Sequence, residues 1–146
     1  MHGVILLLHL LAATVWTGGH LILATVILPR ALKQNSLTEL MQFEAAFERI
    51  GVPALLIQVA SGLWLAYTLI PIGGWFDLTN PVARPIALKL ILLALTIFLA
   101  ADARIRVIPK LSVQTLHSLA WHIIAVTVIA VLFVATGISF RTGWMY

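Results

Sequence analysis

The stretch GVILLLHLLAATVWTGGHLILATVIL, from Gly3 to Leu28, decides the fold class. It contains no Asp, Glu, Lys or Arg, and it exceeds the roughly 20 apolar residues that an α-helix needs to cross a bilayer. Only His9 and His20 interrupt it with ionisable groups, and neither adds a fixed charge. A cleaved signal peptide does not fit: no basic segment precedes the run, the apolar core is too long, and further apolar runs follow. Pro29 and Arg30 are expected to end the helix, the proline by withdrawing a backbone donor and the arginine by anchoring at the interface.

Working outward, Ser36 and Glu39 have capping-box spacing, and Phe43, Phe47 and Ile50 then recur on one face. These features predict a short amphipathic interfacial helix, carrying Glu44 and Glu48 one turn apart, before a second span over 51–72. Pro53 lies near the start of that span, where a missing N–H costs least. Gly73, Gly74, Asp77, Asn80, Pro81 and Pro85 form a turn-rich connection. A third span is expected over 86–101, with Lys89 inside it, then a charged loop holding Asp102, Arg104, Arg106 and Lys110, and a fourth span over 115–138. The expected fold is therefore all-α: one domain over residues 1–146, an integral membrane antiparallel four-helix bundle. Gly18, Gly19, Ser61, Gly62 and Gly137 are expected to allow close backbone approach between helices.

Composition agrees with that reading. Of 146 residues 62% are apolar, 10% are charged and none is cysteine, which excludes an ordinary soluble domain, a disordered chain and a disulfide scaffold. The net charge of +4 comes from residues between the apolar runs, where lipid headgroups account for it, so no nucleic-acid partner is expected. An even number of crossings puts both termini on one side, side A. Arg30, Lys33, Arg49, Arg104, Arg106 and Lys110 fall on the opposite side, side B, against Arg84, Lys89 and Arg141 on side A. The positive-inside rule then makes side B cytoplasmic and turns the termini outward. Met1, Met41 and Met145 all lie outside the expected spans, so a sulfur site for a soft metal is expected to be absent or peripheral.

Four of the five histidines, His9, His20, His117 and His122, fall in the first and fourth spans. Ionisable groups inside a membrane are costly and point to function. At about 100° and 1.5 Å per residue, His9 and His20 share a face but stand about 16 Å apart. Antiparallel packing brings His20 towards His117 and His122 at side B, with Glu44, Glu48 and Asp102 on the same side. His117 and His122 differ in facing by about 140°, so both reach one centre only if it lies between helices. The candidate metal set is His20, His117 and His122 with Glu48. The candidate cofactor set is His9, His20, Lys89, His117 and His122. Imidazole suits copper, zinc and iron, and histidines from two helices can clamp a b-type haem. The competing reading makes them interhelical hydrogen-bonding residues and Lys89 a snorkelling side chain. Trp16 and Trp121 are candidates for walling an inner pocket, and Trp75 and Trp144 for anchoring at side A. No phosphate-binding loop, dinucleotide fingerprint, zincin motif or hydrolase elbow occurs.

LHLLAATVWTGGHLILATVILPRAL from Leu8, FERIGVPALLIQVASGLWLAY from Phe47, NPVARPIALKLILLAL from Asn80 and LAWHIIAVTVIAVLFVATGISFRTG from Leu119 together resemble the small members of the copper-resistance D family. The resemblance implies a multi-pass protein of the bacterial inner membrane concerned with copper uptake or tolerance, with copper ion as the bound species. It also implies His9, Trp16, Gly19, His20, Glu48, Lys89, His117 and His122 as characteristic residues, and a redox or periplasmic copper-protein partner. His9, Pro29–Arg30, Gly62–Trp64 and Lys89 also resemble the HemJ-type protoporphyrinogen oxidases, which implies haem b as the alternative cofactor. The chain departs from that group at Ala101 and Asp102, where a Tyr-His pair would close the third helix, and in its added histidines of the fourth span. The alternatives to a copper protein are a haem-linked or quinone-linked electron-transfer protein and a structural subunit of a larger membrane complex.

Overall fold

The computed structural model describes residues 1–144 and is helical throughout, with no strand among the described residues. Four helices are long and apolar enough to cross a membrane: α1 His2–Gln34, α2 Thr38–Leu69, α3 Ala83–Lys110 and α4 Leu116–Thr142. This is a four-helix membrane bundle. Large apolar side chains such as Leu7, Leu56, Phe98 and Val128 face outward, as a bilayer requires and water would penalise.

All four helices outrun the lengths expected from hydropathy, and the reasons are local. Pro29 does not end α1, and the helix runs on to Gln34. Just before the proline the chain opens into a single π turn over Leu23–Ile27, in which the Leu28 N–H reaches back five residues to the Leu23 carbonyl. The wider turn relieves the clash that a proline ring otherwise makes with the preceding turn. The expected charged loop after the third span is likewise helical. A second π turn, Ala103–Val107, precedes Pro109, and there the Ile108 N–H bonds the Ala103 carbonyl.

The interfacial segment is not a separate helix: α2 is continuous from Thr38 through Pro53 to Leu69. Its expected capping box does not form, because Glu39 turns away to pair with Arg30 at 3.0 Å. Asn35, in the left-handed conformation at φ 48°, closes α1, and Gly143 at φ 67° closes α4. Between α2 and α3 the connection is held by its own polar groups. The Asp77 carboxylate accepts from the Thr79 N–H at 3.0 Å and hydroxyl at 2.6 Å, and Trp75 donates to the Ile70 carbonyl at 3.0 Å.

In the bundle α1 packs on α2, α4 packs on α3, and the two pairs join through α1 and α4. The backbones of α2 and α3 stay apart, so the bundle is open along that side. Near side B the core is formed by Leu28 and Ala31 of α1, Leu40 of α2, Val107 of α3 and Leu116 and Ala120 of α4. Deeper in, Trp16, Val126 and Ala130 pack with Phe47, Leu55 and Leu99. Small residues serve side chains more than backbones. A Cβ at Gly19 would stand 2.0 Å from the Phe47 ring and one at Gly62 3.0 Å from His9 Cε1, whereas Gly18 has nothing within 4 Å.

Candidate functional site

The open side between α2 and α3 leads to a pocket of about 290 Å³ in the side B half of the bundle. Trp16, His20 and Leu23 of α1 form its inner wall, with Ile123 and Val126 of α4. Met41, Glu44, Phe47 and Glu48 line it from α2, Ala103 and Arg104 from α3, and His122 from α4. Both π turns border it, through Leu23 and through Ala103 and Arg104. Such turns displace the helix face by part of a turn, and they recur at functional positions.

His20 is the best-placed donor. The residue is buried, and its ring lies 4.3 Å from the Trp16 indole and edge-on to Phe47 at 5.3 Å between centroids. Nδ1 stands 2.9 Å from the Trp16 carbonyl, which only accepts, so Nδ1 carries the ring proton. Nε2 makes no hydrogen bond among the described residues and keeps its lone pair. The Thr127 hydroxyl of α4, which donates to the Ile123 carbonyl at 2.7 Å, also lies 3.2 Å from the His20 carbonyl. Gly19 leaves the room that Phe47 needs to close over the imidazole.

Glu44 and Glu48 face the same pocket one helical turn apart. Their mutual repulsion is offset by Arg104 of α3, whose guanidinium donates to the Glu48 carboxylate at 2.9 Å and stands 3.9 Å from Glu44. His122 also lines the pocket, but both its nitrogens are engaged. Nδ1 is 2.8 Å from the Ser118 carbonyl and Nε2 is 2.9 Å from the Asp102 carboxylate. Both ring nitrogens face acceptors within hydrogen-bond distance, so neither is left open to a ligand. Asp102 is in turn held by Arg106 at 3.3 Å.

Of the candidate metal set, the pocket therefore collects His20, His122 and Glu48. His117, exposed at the start of α4, does not line it. Among the described residues no three His, Cys, Asp or Glu come close enough to hold a metal ion. His9 and Lys89, from the candidate cofactor set, lie in the other half of the bundle. Trp16 walls the pocket, whereas Trp121 is 72% exposed and does not.

The sequence reading missed Met41. α2 starts well before the apolar run and carries Met41, which lies outside the expected spans, onto the pocket wall. The spacing of Met41, Glu44 and Glu48, at i, i+3 and i+7, was the available signal. Asp102, placed by the sequence reading in a charged loop on the side of the histidines, is the partner of His122.

Taken together, a neutral imidazole nitrogen, a thioether and two tethered carboxylates border one mostly apolar pocket. Comparison with known proteins adds the family. Neither the curated proteins nor the solved structures gave a match, but the family model for copper resistance protein D matches residues 41–140, from the pocket-lining face of α2 to nearly the end of α4. The chain belongs to the copper resistance protein D family, as a multi-pass membrane protein.

Proposed function

We propose that the pocket between α2 and α3 is a copper-handling site, and that the chain takes copper up at it or passes copper through the membrane. The observation that carries this reading is His20: its tautomer is set by the Trp16 carbonyl and its open Nε2 belongs to a residue of the pocket wall. A hydrogen bond to the second ring nitrogen is how histidine ligands are usually held and made more basic. The donor types fit the ion. Imidazole and carboxylate suit the oxidised form, and the Met41 thioether extends the range to the reduced form.

Glu44 and Glu48 give the mouth of the pocket negative charge, which draws a cation in. Arg104 limits that charge, so that the site does not simply trap what it attracts. In this reading side B is the cytoplasmic face of a bacterial inner membrane, and copper exchanges there with soluble carriers. His122 acts as a neighbour held by Asp102 rather than as a ligand.

The test is direct. Protein purified in detergent is loaded with copper, desalted, and examined by metal analysis and visible spectroscopy. Retained copper without a Soret band, lost on His20→Ala, supports the reading. A Soret band that shifts on reduction supports the haem-linked alternative. Neither copper nor Soret band overturns both and leaves the structural-subunit reading.

A further inference from the structure

The pocket between α2 and α3 holds more apolar room than a metal ion uses. Its volume is about 290 Å³, and apolar side chains form most of its wall. That is the low end of the roughly 300–1,000 Å³ usual for small-molecule sites, enough for one substituted aromatic ring and too little for a phospholipid. Three rings stand together on the wall: His20 lies 4.3 Å from Trp16 and edge-on to Phe47 at 5.3 Å between centroids. Such rings pack against a flat aromatic guest edge-on or offset-stacked.

The two ends of the opening differ in character. Gly51 and Val52 of α2 and Leu99 and Ala100 of α3 line it within the apolar stretches, where the surrounding medium is acyl chain. A lipid-soluble molecule reaches the pocket sideways at this level, without crossing the headgroups. Towards side B the lining residues are Glu44, Glu48 and Arg104. Two carboxylates against one guanidinium leave a net negative charge, which turns away a lipid phosphate.

The polar groups of the wall accept hydrogen bonds and scarcely donate them. His20 carries its ring proton on Nδ1, so Nε2 offers a lone pair. The Arg104 guanidinium donates to Glu48 at 2.9 Å and stands 3.9 Å from Glu44, too far for a hydrogen bond, so Glu44 also keeps acceptor capacity. A guest must therefore bring the donors. An acyl chain brings none, and a quinone brings only acceptors. A dihydroxyarene with an apolar tail matches the volume, the rings, the side entrance and the hydrogen bonding together.

We propose that this pocket takes a lipid-soluble hydroquinone from the bilayer through the gap between α2 and α3. Its ring packs against Trp16, His20 and Phe47, one hydroxyl donates to His20 Nε2, and its tail stays in the gap. The reduced form is held in preference to the quinone, because only the reduced form has O–H groups to give. Binding needs no copper, so the test is run without it and its outcome is separate from that of the copper reading.

The experiment uses full-length protein in copper-free lipid nanodiscs, with an alkyl-tailed benzohydroquinone carrying a diazirine as probe. After illumination, the label is located by peptide mass spectrometry. It is expected on α1 over 16–23 and on α2 over 41–52. Unlabelled hydroquinone should displace the probe at about a tenfold lower concentration than its dimethyl ether or the quinone, the worth of one net hydrogen bond. His20→Phe keeps a ring but no acceptor and should level the three competitors. The comparison on the parent chain stands whether or not that variant folds. Equal displacement by the dimethyl ether, a label confined to lipid-facing side chains such as Leu7 and Val128, or an undiminished preference in His20→Phe would each overturn the proposal. So would a diazirine-tagged phospholipid that labels the same peptides and is not displaced by hydroquinone.

Discussion

The guanidinium of Arg104 on α3 reaches the carboxylate of Glu48 on α2 at 2.9 Å, bridging the one side of the bundle where two neighbouring helices do not pack backbone to backbone. Both groups are substantially exposed, so the bond itself adds little stability. Its consequence is electrostatic: it decides how much of the Glu44 and Glu48 charge a cation in the pocket feels.

Arg104→Gln is accordingly expected to change unfolding stability by less than about 1 kcal/mol. Copper affinity should rise by up to about tenfold, the worth of one partly screened charge. Thermal unfolding and copper titration of the same preparation separate the two effects. A fall in affinity would show that Arg104 aligns the carboxylates rather than neutralising them.

The histidines should behave unequally. His122→Gln and His117→Ala are expected to leave copper affinity within about threefold of the parent, under 1 kcal/mol, because the first has no open nitrogen and the second is not on the pocket wall. Equilibrium dialysis against a copper chelator measures this. A large loss in His122→Gln would mean that copper displaces Asp102 from the ring.

Gly19 and Phe47 should be strongly coupled. A Cβ at Gly19 would stand 2.0 Å from the Phe47 ring, which packs against both Trp16 and His20. Gly19→Ala is expected to destabilise by about 1–3 kcal/mol, as overpacking does. Adding Phe47→Ala should cost less in the Gly19→Ala background than in the parent, because the ring has already been displaced. Additive effects in denaturant unfolding would contradict this packing.

Outside the membrane, the two hydrogen bonds from Thr79 hold the Asp77 carboxyl below its ordinary value. A lowered carboxyl stabilises the folded connection above the unfolded value near 4, and that contribution is lost as the pH falls through the lowered one. Thr79→Ala should therefore move the Asp77 titration upward, as followed by the chemical shift of its side-chain carbon. An unmoved titration would mean that the Asp77 turn does not persist in the bilayer-reconstituted protein.

Much of this architecture was legible from one dimension. The 62% apolar composition and the spacing of the apolar runs determine that the chain lives in a bilayer and crosses it four times, because hydropathy is summed along a segment and needs no neighbour. The same local logic marked His9, His20 and Lys89 as costly exceptions. Facing and register were not legible. Pro29 read as a stop and the segment around Pro109 as a charged loop, yet each proline follows a π turn that carries the helix onward.

The early start of α2 brought Met41 to the pocket, the packing of α3 on α4 gave Asp102 to His122, and His117 stayed outside. Pairing of helices made the rest: His9 met Gln58 only because α1 packs on α2, and the pocket exists only because α2 and α3 stay apart. Sequence alone determined the solvent and the number of crossings. Tertiary structure decided which nitrogen, sulfur and oxygen atoms share a cavity, because that depends on rotations about helix axes which no single segment encodes.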